Sequence, residues 1–218
     1  MNQKTVLIAG ATGMVGGQAL QLALDHPDIR EVRTLGRKVV NQSHPKLKQW
    51  TAEDLGSYKD ANCFTGVDTL LFCVGAYTGA LKEAAFRYVN VDIPYAIAKQ
   101  LQVHAPQANF CLLSGQGADR TEKSRVQFAR EKGIIENKLS ALGLGGFATF
   151  RPGYIYPVKK REEPNWMYTV SRRIYPLLKR NTNMSIPSDA LAHAMLTVGL
   201  KPIEQEVWEN AQMRALTS

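Results

Sequence analysis

The chain has 218 residues, a formal charge of +8, and apolar and charged fractions of 44% and 21%. This length and composition are those of an ordinary globular protein with room for one sizeable core, and they exclude the disordered, fibrous and collagen-like classes. Its three cysteines are too few for a disulfide scaffold, its first residues lack the apolar region of a secretory signal, and its apolar runs fall short of a membrane span. We therefore expect a cytoplasmic protein without a transmembrane segment, whose charge suits an anionic partner such as a phosphorylated cofactor.

Short apolar runs rich in β-branched residues alternate along the chain with longer stretches of helical periodicity. The strands predicted from these runs cover residues 5–10, 31–35, 46–50, 68–74, 109–114 and 147–152. This alternation is typical of βαβ units that feed a parallel sheet. We expect one α/β domain over 1–218, a doubly wound parallel sheet with 154–218 as a small C-terminal elaboration.

Two helical stretches carry internal signals. Pro94 lies within the stretch 80–105 and should interrupt it, because proline cannot continue an interior helical hydrogen-bond pattern. A second long helix is predicted to follow Asp119, with Gly143 as its C-terminal stop.

The first predicted strand runs directly into the turn Gly10-Ala11-Thr12-Gly13-Met14-Val15-Gly16, after which helical periodicity begins. A phosphate at such a turn meets backbone N–H groups and the positive end of a helix dipole, and glycines allow close approach. The spacing is G-x-x-G-x-x-G rather than the usual G-x-G-x-x-G. A tight turn that only packs helix on strand is the alternative, but the place of the motif at the first strand–helix junction favours a dinucleotide.

The second predicted strand is followed by Gly36, Arg37 and Lys38. A carboxylate near this position suits the free ribose 2′-hydroxyl of NAD, whereas an arginine accommodates the 2′-phosphate of NADP. Two cations therefore favour NADP(H) over NAD(H). The alternative is an ordinary solvated basic turn.

Seven pieces in order, namely AGATGMVG, LGRK, LLFCVGA, LLSGQGAD, EKGIIENKL, FRPGYI and SIPSDALAHAM, give the chain a resemblance to the atypical short-chain dehydrogenase/reductases. Within that family it resembles the Tat-interacting oxidoreductases. The resemblance implies a Rossmann-type fold, an elaboration on the substrate side and an NAD(P)-binding site. The residues that it implies for cofactor binding are Gly10, Thr12, Gly13, Met14, Val15, Gly16, Arg37, Lys38, Cys73, Val74, Gly75, Lys132, Pro152, Gly153 and Tyr154.

For catalysis the resemblance implies Ser114, which would orient the substrate oxygen, and Lys132, which would hold the nicotinamide ribose. Relatives carry Tyr-x-x-x-Lys, with the tyrosine as proton donor, but Phe128 takes that place here. Residues four apart share a helix face, so Phe128 and Lys132 should point the same way. A phenyl ring has no proton to give, and loss of general acid–base catalysis costs about 10²–10⁴-fold in rate.

We therefore predict an NADP(H)-binding oxidoreductase acting on a small carbonyl or alcohol, with an unidentified proton donor. Candidates for the donor are Tyr77, Tyr154, Tyr156, and Ser114 acting through a water. The alternative is a non-catalytic regulator or sensor in which NADPH occupancy stabilises a surface that recognises a protein partner. Retained cofactor motifs with a lost acid suit that role.

A cluster of cations interleaved with aromatics lies between Lys159 and Arg180 and raises a third hypothesis, binding of nucleic acid or an anionic membrane. Glu162 and Glu163 dilute its charge, so we expect a solvated helix with core aromatics, and no nucleic-acid partner. The four histidines are scattered, and neither they nor the cysteines have metal-ligand spacing. No metal site is predicted.

Overall fold

A computed structural model describes residues 3–76, 82–158 and 183–217 of the chain. Its centre is a seven-stranded sheet in the order β3-β2-β1-β4-β5-β6-β9, in which every pair of neighbours is parallel. The strands of this sheet are β1 (Lys4–Ala9), β2 (Ile29–Gly36), β3 (Leu47–Thr51), β4 (Thr69–Phe72), β5 (Asn109–Leu113), β6 (Gly146–Arg151) and β9 (Val207–Glu209). A separate parallel pair joins β7 (Tyr154–Tyr156) to β8 (Ser185–Pro187).

Helices lie in the connections between these parallel strands, except that residues 37–46 join β2 to β3 without a helix. The α-helices are α1 (Met14–Asp25), α2 (Ala61–Phe64), α3 (Glu83–Arg87), α4 (Ile93–His104), α5 (Gln127–Ser140), α6 (Ser188–Gly199) and α7 (Asn210–Ala215). Within the described residues no helix is long and apolar enough to cross a bilayer.

The core has two halves, one on each face of the sheet. Val6 and Ile8 of β1 point to the face covered by α1 and α6, whereas Leu7 and Ala9 point to the face covered by α4 and α5. All four side chains are fully buried. Because β1 lies between two other strands and is covered on both faces, it reads as a continuous apolar run. The predicted doubly wound α/β sheet and its six predicted strands are confirmed.

The structure confirms one of the two helix predictions and changes the other. Pro94 lies in the first turn of α4, directly after a π-helical turn (Tyr88–Asp92), so the predicted interruption is confirmed. The helix predicted after Asp119 begins only at Gln127. The Asp119 carboxylate accepts hydrogen bonds from the N–H groups of Thr121 and Ser124 at 2.9 and 2.8 Å, which holds this segment in a turn.

Two predictions fall outside the described residues. These are Tyr77 as a proton donor and the basic cluster from Lys159 to Arg180. The assignment of 1–218 to one domain, with 154–218 as its elaboration, stays a prediction.

Candidate functional site

The glycine turn joins β1 to α1 at the carboxyl end of the central strand. Gly10 has φ +87°, a conformation that side chains rarely adopt, and its N–H donates to the Leu35 carbonyl at 3.1 Å. A Cβ on Gly16 would lie 2.3 Å from the Gly10 carbonyl oxygen, and one on Gly13 would lie 3.1 Å from it. No side chain caps α1, which begins at Met14. The turn thus presents backbone at a helix N-terminus, which is the arrangement that fits a phosphate.

Arg37 and Lys38 directly follow β2, the strand beside β1, and both side chains are exposed. Neither takes part in an ion pair within 3–76, 82–158 and 183–217. Since β1 and β2 are parallel, the two cations and the glycine turn lie along the same edge of the sheet.

The other neighbour of β1 brings Cys73, Val74 and Gly75 to this edge. The Cys73 N–H donates to the Ala9 carbonyl at 2.9 Å, and a Cβ on Gly10 would lie 3.0 Å from Val74 Cγ2. Burial raises the pKa of the Cys73 thiol to about 12, so this cysteine is a neutral packing group rather than a nucleophile.

Ser114 follows β5, and its hydroxyl hydrogen is already used in a hydrogen bond to another side chain. The Oγ–H donates to Glu136 Oε1 at 2.6 Å, and the Ser114 side chain is buried. Glu136 also accepts from Thr149 Oγ1 at 3.0 Å, Arg151 Nη2 at 2.5 Å and Arg120 Nε at 3.0 Å. A serine hydroxyl has one hydrogen, so in this arrangement Ser114 can accept a further hydrogen bond but cannot donate one.

Glu136 is fully buried and still ionised. Burial alone would raise the pKa of its carboxyl group, but hydrogen bonds from Arg151, Ser114 and Arg120 outweigh burial and hold the pKa below its usual value. The two arginines therefore neutralise a carboxylate at the junction of α5 and β6.

Lys132 lies on α5 one turn before Glu136, with 4% of its surface exposed. Its ammonium donates to the Leu113 carbonyl at a long 3.4 Å. Burial lowers the pKa of the amine to about 8, although the charge of Glu136 opposes this shift. The structure therefore brings Ser114 and Lys132 together at the end of β5.

Phe128 reaches the same place from α5. A Cβ on Gly115 would lie 2.4 Å from Phe128 Cζ, so the tip of the ring packs against the residue that follows Ser114. Cζ is the atom that would carry the hydroxyl of a tyrosine. The expectation that Phe128 and Lys132 point the same way agrees with these contacts.

Pro152, Gly153 and Tyr154 follow β6 and lead into β7. The Gly153 N–H donates to Asn210 Oδ1 at 2.9 Å, and a Cβ on Gly153 would lie 2.3 Å from the Met184 carbonyl oxygen. The Gln116 N–H donates to the Pro152 carbonyl at 2.9 Å, which ties this segment to the one after Ser114.

Sequence reasoning missed two residues of this region. Glu136 continues the Phe128–Lys132 spacing by another four residues, and that spacing could have identified it. Asn90, in the π-helical turn, is buried, and its Oδ1 has no hydrogen-bond partner among the described residues, while its Nδ2 donates to the Phe86 carbonyl at 3.0 Å. Its Oδ1 faces Gly75, where an added Cβ would lie 3.9 Å away. The position of Asn90 between Val89 and Val91 was the available signal.

Among the described residues, no group of three or more His, Cys, Asp or Glu side chains is placed to hold a metal ion.

Residues 5–94 match the family described as semialdehyde dehydrogenase, NAD binding domain. Over 93% of its length the chain is 26% identical to Protein fmp52-1, mitochondrial, of Aspergillus terreus, covering 90% of that protein. It is 27% identical to Protein HTATIP2 of Rattus norvegicus over 93% of this chain and 84% of that protein.

Solved structures have the same fold at lower identity. The PhqB reductase domain of Penicillium fellutanum superposes with a TM-score of 0.72 at 16% identity, covering 95% of this chain and 66% of that one. The enzyme WbmH of Bordetella bronchiseptica, solved with NAD+, superposes with a TM-score of 0.71 at 14% identity, covering 95% and 75%.

The predicted cytoplasmic location is wrong by these comparisons. Six fmp52 proteins among the relatives are named mitochondrial. The prediction rested on unpaired cysteines and on apolar runs too short for a membrane span, and neither property distinguishes the cytoplasm from another compartment that keeps thiols reduced.

A glycine turn at the first strand–helix junction, a doubly wound parallel sheet and these relatives agree with one another. In fold and in sequence the chain is similar to the atypical short-chain dehydrogenase/reductases, Rossmann-fold proteins that bind a nicotinamide dinucleotide.

Proposed function

We propose that the protein binds NADP(H) and acts as an oxidoreductase on a small carbonyl or alcohol. One observation carries this proposal: buried Lys132 and Ser114 lie at the same sheet edge as a glycine turn that opens onto an uncapped helix N-terminus. The chain's similarity to a family that binds nicotinamide dinucleotides supports it.

The binding residues act in three groups. The glycine turn would hold the pyrophosphate through backbone N–H groups. Arg37 and Lys38 would meet the 2′-phosphate, which favours NADP(H) because exposed, unpaired cations next to the ribose site attract the added charge. The nicotinamide half would lie near Lys132, and the remaining residues of the site would line the cofactor's path. Those residues are Cys73, Val74, Gly75, Pro152, Gly153 and Tyr154.

At the reacting end, a bound nicotinamide supplies or takes up a hydride. Lys132 would bind the ribose hydroxyls with N–H groups that the protein leaves weakly occupied. With its hydrogen given to Glu136, Ser114 Oγ would orient an alcohol substrate by accepting from its hydroxyl group, and it would donate to a carbonyl oxygen only after releasing Glu136.

The alternative is a non-catalytic, NADPH-dependent regulator, and a specific observation favours keeping it. Phe128 has no proton to give, and the Ser114 hydrogen is committed to Glu136. The usual acid is therefore absent, while the groups that would bind the cofactor remain in place.

The two functions are separated by measuring NADPH-dependent reduction of a panel of small aldehydes and ketones by the wild-type protein and by Phe128→Tyr. We expect turnover by the wild-type protein, and an increase of about 10²-fold or more in the variant, because tyrosine restores a general acid next to Ser114. Turnover by the variant alone would support the regulator. Comparable binding of NADPH by both proteins is the control, because it shows that the substitution leaves the cofactor site intact.

A further inference from the structure

Few side chains at the carboxyl ends of β4 and β5 could donate a proton to a substrate oxygen. Phe128 has none, and the hydroxyl hydrogen of Ser114 is held by Glu136 at 2.6 Å. Asn90 carries only an amide, which is not an acid at any physiological pH, and one of its hydrogens already binds the Phe86 carbonyl. These three groups leave the acid role unfilled, and the donor candidates Tyr154 and Tyr156 lie on β7, in the separate two-stranded pair with β8.

Lys132 differs from them in having protons to give. An ammonium carries three N–H bonds. Its one hydrogen bond within the described protein, to the Leu113 carbonyl, is 3.4 Å long, beyond the usual 2.7–3.2 Å. The amine is buried beside Ser114 and on the same helix face as Phe128, so the nearby ring excludes water rather than competing for the proton.

We propose that Lys132 is itself the general acid, donating a proton from Nζ to the substrate oxygen in place of the missing tyrosine. This inference rests on the proposed function, since it requires a carbonyl and a hydride donor at the site.

When bound, the nicotinamide would supply a hydride with its electron pair to the carbonyl carbon, and the π electrons of the C=O bond would move to oxygen. That oxygen forms an O–H bond with a proton from Lys132 Nζ, whose N–H electron pair stays on nitrogen. The carbonyl is reduced to an alcohol, the dinucleotide is oxidised, and the neutral amine then regains a proton from water.

The electrostatic surroundings suit this role. Burial lowers the pKa of the amine to about 8, close to the working pH at which a general acid is most effective. On α5 itself, Glu136 is the carboxylate that acts on Lys132, and it is neutralised by Arg151 of β6 and Arg120 of the preceding loop.

The other charged groups on elements packed against α5 have partners or face solvent. Glu131 pairs with Arg87 of α3, and Asp92 of the π-helical turn is exposed. On α4, the ring of Tyr95 lies under Lys138, six residues beyond Lys132. β5 contributes the Leu113 carbonyl and Ser114, and no charged side chain. The Lys132 amine is therefore not fixed in its charged form by a contact ion pair among the described residues.

The test compares wild type, Lys132→Arg and, as the matched control on the same helix, Lys138→Arg. Arginine keeps a positive charge and hydrogen-bond donors but does not give up its proton in proteins. Three quantities are measured: NADPH binding by fluorescence, titration of lysine Cε resonances by ¹³C NMR in the cofactor-free protein, and single-turnover reduction of isatin, an activated ketone, against pH.

We expect wild type to show one lysine titrating near 8, absent from Lys132→Arg, and a reduction rate that falls as pH rises through the same range. Compared with wild type at saturating NADPH, because Lys132 is also placed at the ribose, Lys132→Arg should lose about 10²-fold or more in single-turnover reduction rate, with no inflection. Lys138→Arg should behave as wild type.

Undiminished reduction by Lys132→Arg would overturn the inference and leave the proposed function standing. The same holds for an unchanged pH profile in that variant. A wild-type protein that binds NADPH without reducing isatin would overturn both the inference and the reductase function, and would favour the non-catalytic regulator. Failure of wild type to bind NADPH would instead contradict the proposed function itself.

Discussion

Glu136 is the residue on which the local structure around the site most depends. It is fully buried, and it accepts hydrogen bonds from two hydroxyls and two guanidinium groups drawn from β5, β6 and the loop before α5. Removing one partner of a buried ion pair leaves the other charge uncompensated, which costs more than the pair contributed.

We predict that Glu136→Gln lowers the free energy of unfolding by about 3 kcal/mol, because Arg151 and Arg120 then lose their buried counter-charge. The matched control is Glu209→Gln, which removes a half-exposed carboxylate 3.4 Å from the same Arg151. That change should cost about 1 kcal/mol or less. Urea unfolding measures both, and equal losses would contradict the role given to Glu136.

The same carboxylate makes stability sensitive to acid. Its pKa in the folded protein lies below the ordinary value of 4.5. Its contribution is therefore present above that pH and is lost as pH falls through the lowered folded value.

At the scale of elements, helix α1 and the glycine turn form one unit. The first residues of α1 approach the turn so closely that a Cβ on Gly16 would lie 2.3 Å from the Gly10 carbonyl oxygen, whereas one on Gly17 would lie 3.3 Å from the Ala11 carbonyl oxygen. Both glycines are helical, and alanine is ordinarily the better helix former by about 1 kcal/mol.

We predict that Gly16→Ala lowers the free energy of unfolding by about 1–3 kcal/mol and weakens NADPH binding, because the backbone of the turn has to move. Gly17→Ala is the control, since its smaller clash is offset by helix propensity. It should change stability by about 1 kcal/mol or less and leave NADPH binding unchanged. A Gly16→Ala protein as stable as Gly17→Ala would show that the turn tolerates the shift.

Strands and helix interruptions could be predicted from the sequence where the local residue pattern determines them. Four of the six predicted strands, β1, β4, β5 and β6, are mainly apolar runs that parallel packing buries on both faces, whereas β3 is a sheet-edge strand without a buried residue. Pro94 interrupts its helix by steric necessity. The start of α5 was not predictable, because Asp119 captures backbone N–H groups that a helical pattern would otherwise use.

Contacts between residues far apart in the sequence could not be predicted, because they depend on how the strands and helices pack together. Ser114 and Glu136 are 22 residues apart and meet only because β5 and α5 pack together. The sequence predicted Ser114 and Lys132 as site residues but gave no sign that the serine hydrogen is already used. The Asn90 oxygen that lacks a hydrogen-bond partner among the described residues likewise depends on the burial that the fold creates.

At the scale of the whole molecule, the residues proposed to bind the cofactor lie at the carboxyl ends of the parallel strands and not at their amino ends. The glycine turn, Arg37 and Lys38 follow carboxyl ends of parallel strands. Lys201 belongs to the opposite edge, because its carbonyl accepts from Asn109 at the start of β5. A cation at that edge should not affect a ligand bound at the other, although its charge is the same.

Titration of the protein with NADPH and with NADH, followed by nicotinamide fluorescence, tests the central claim most directly. We predict saturable binding of both with a lower Kd for NADPH, and a loss of about 10-fold or more of that preference in Arg37→Ala with Lys38→Ala, because charge-assisted hydrogen bonds of about 1.5–3 kcal/mol are removed. Lys201→Ala should keep the full preference. Binding of neither dinucleotide would contradict the account, and an equal Kd for both would contradict the assignment of Arg37 and Lys38 to the 2′-phosphate.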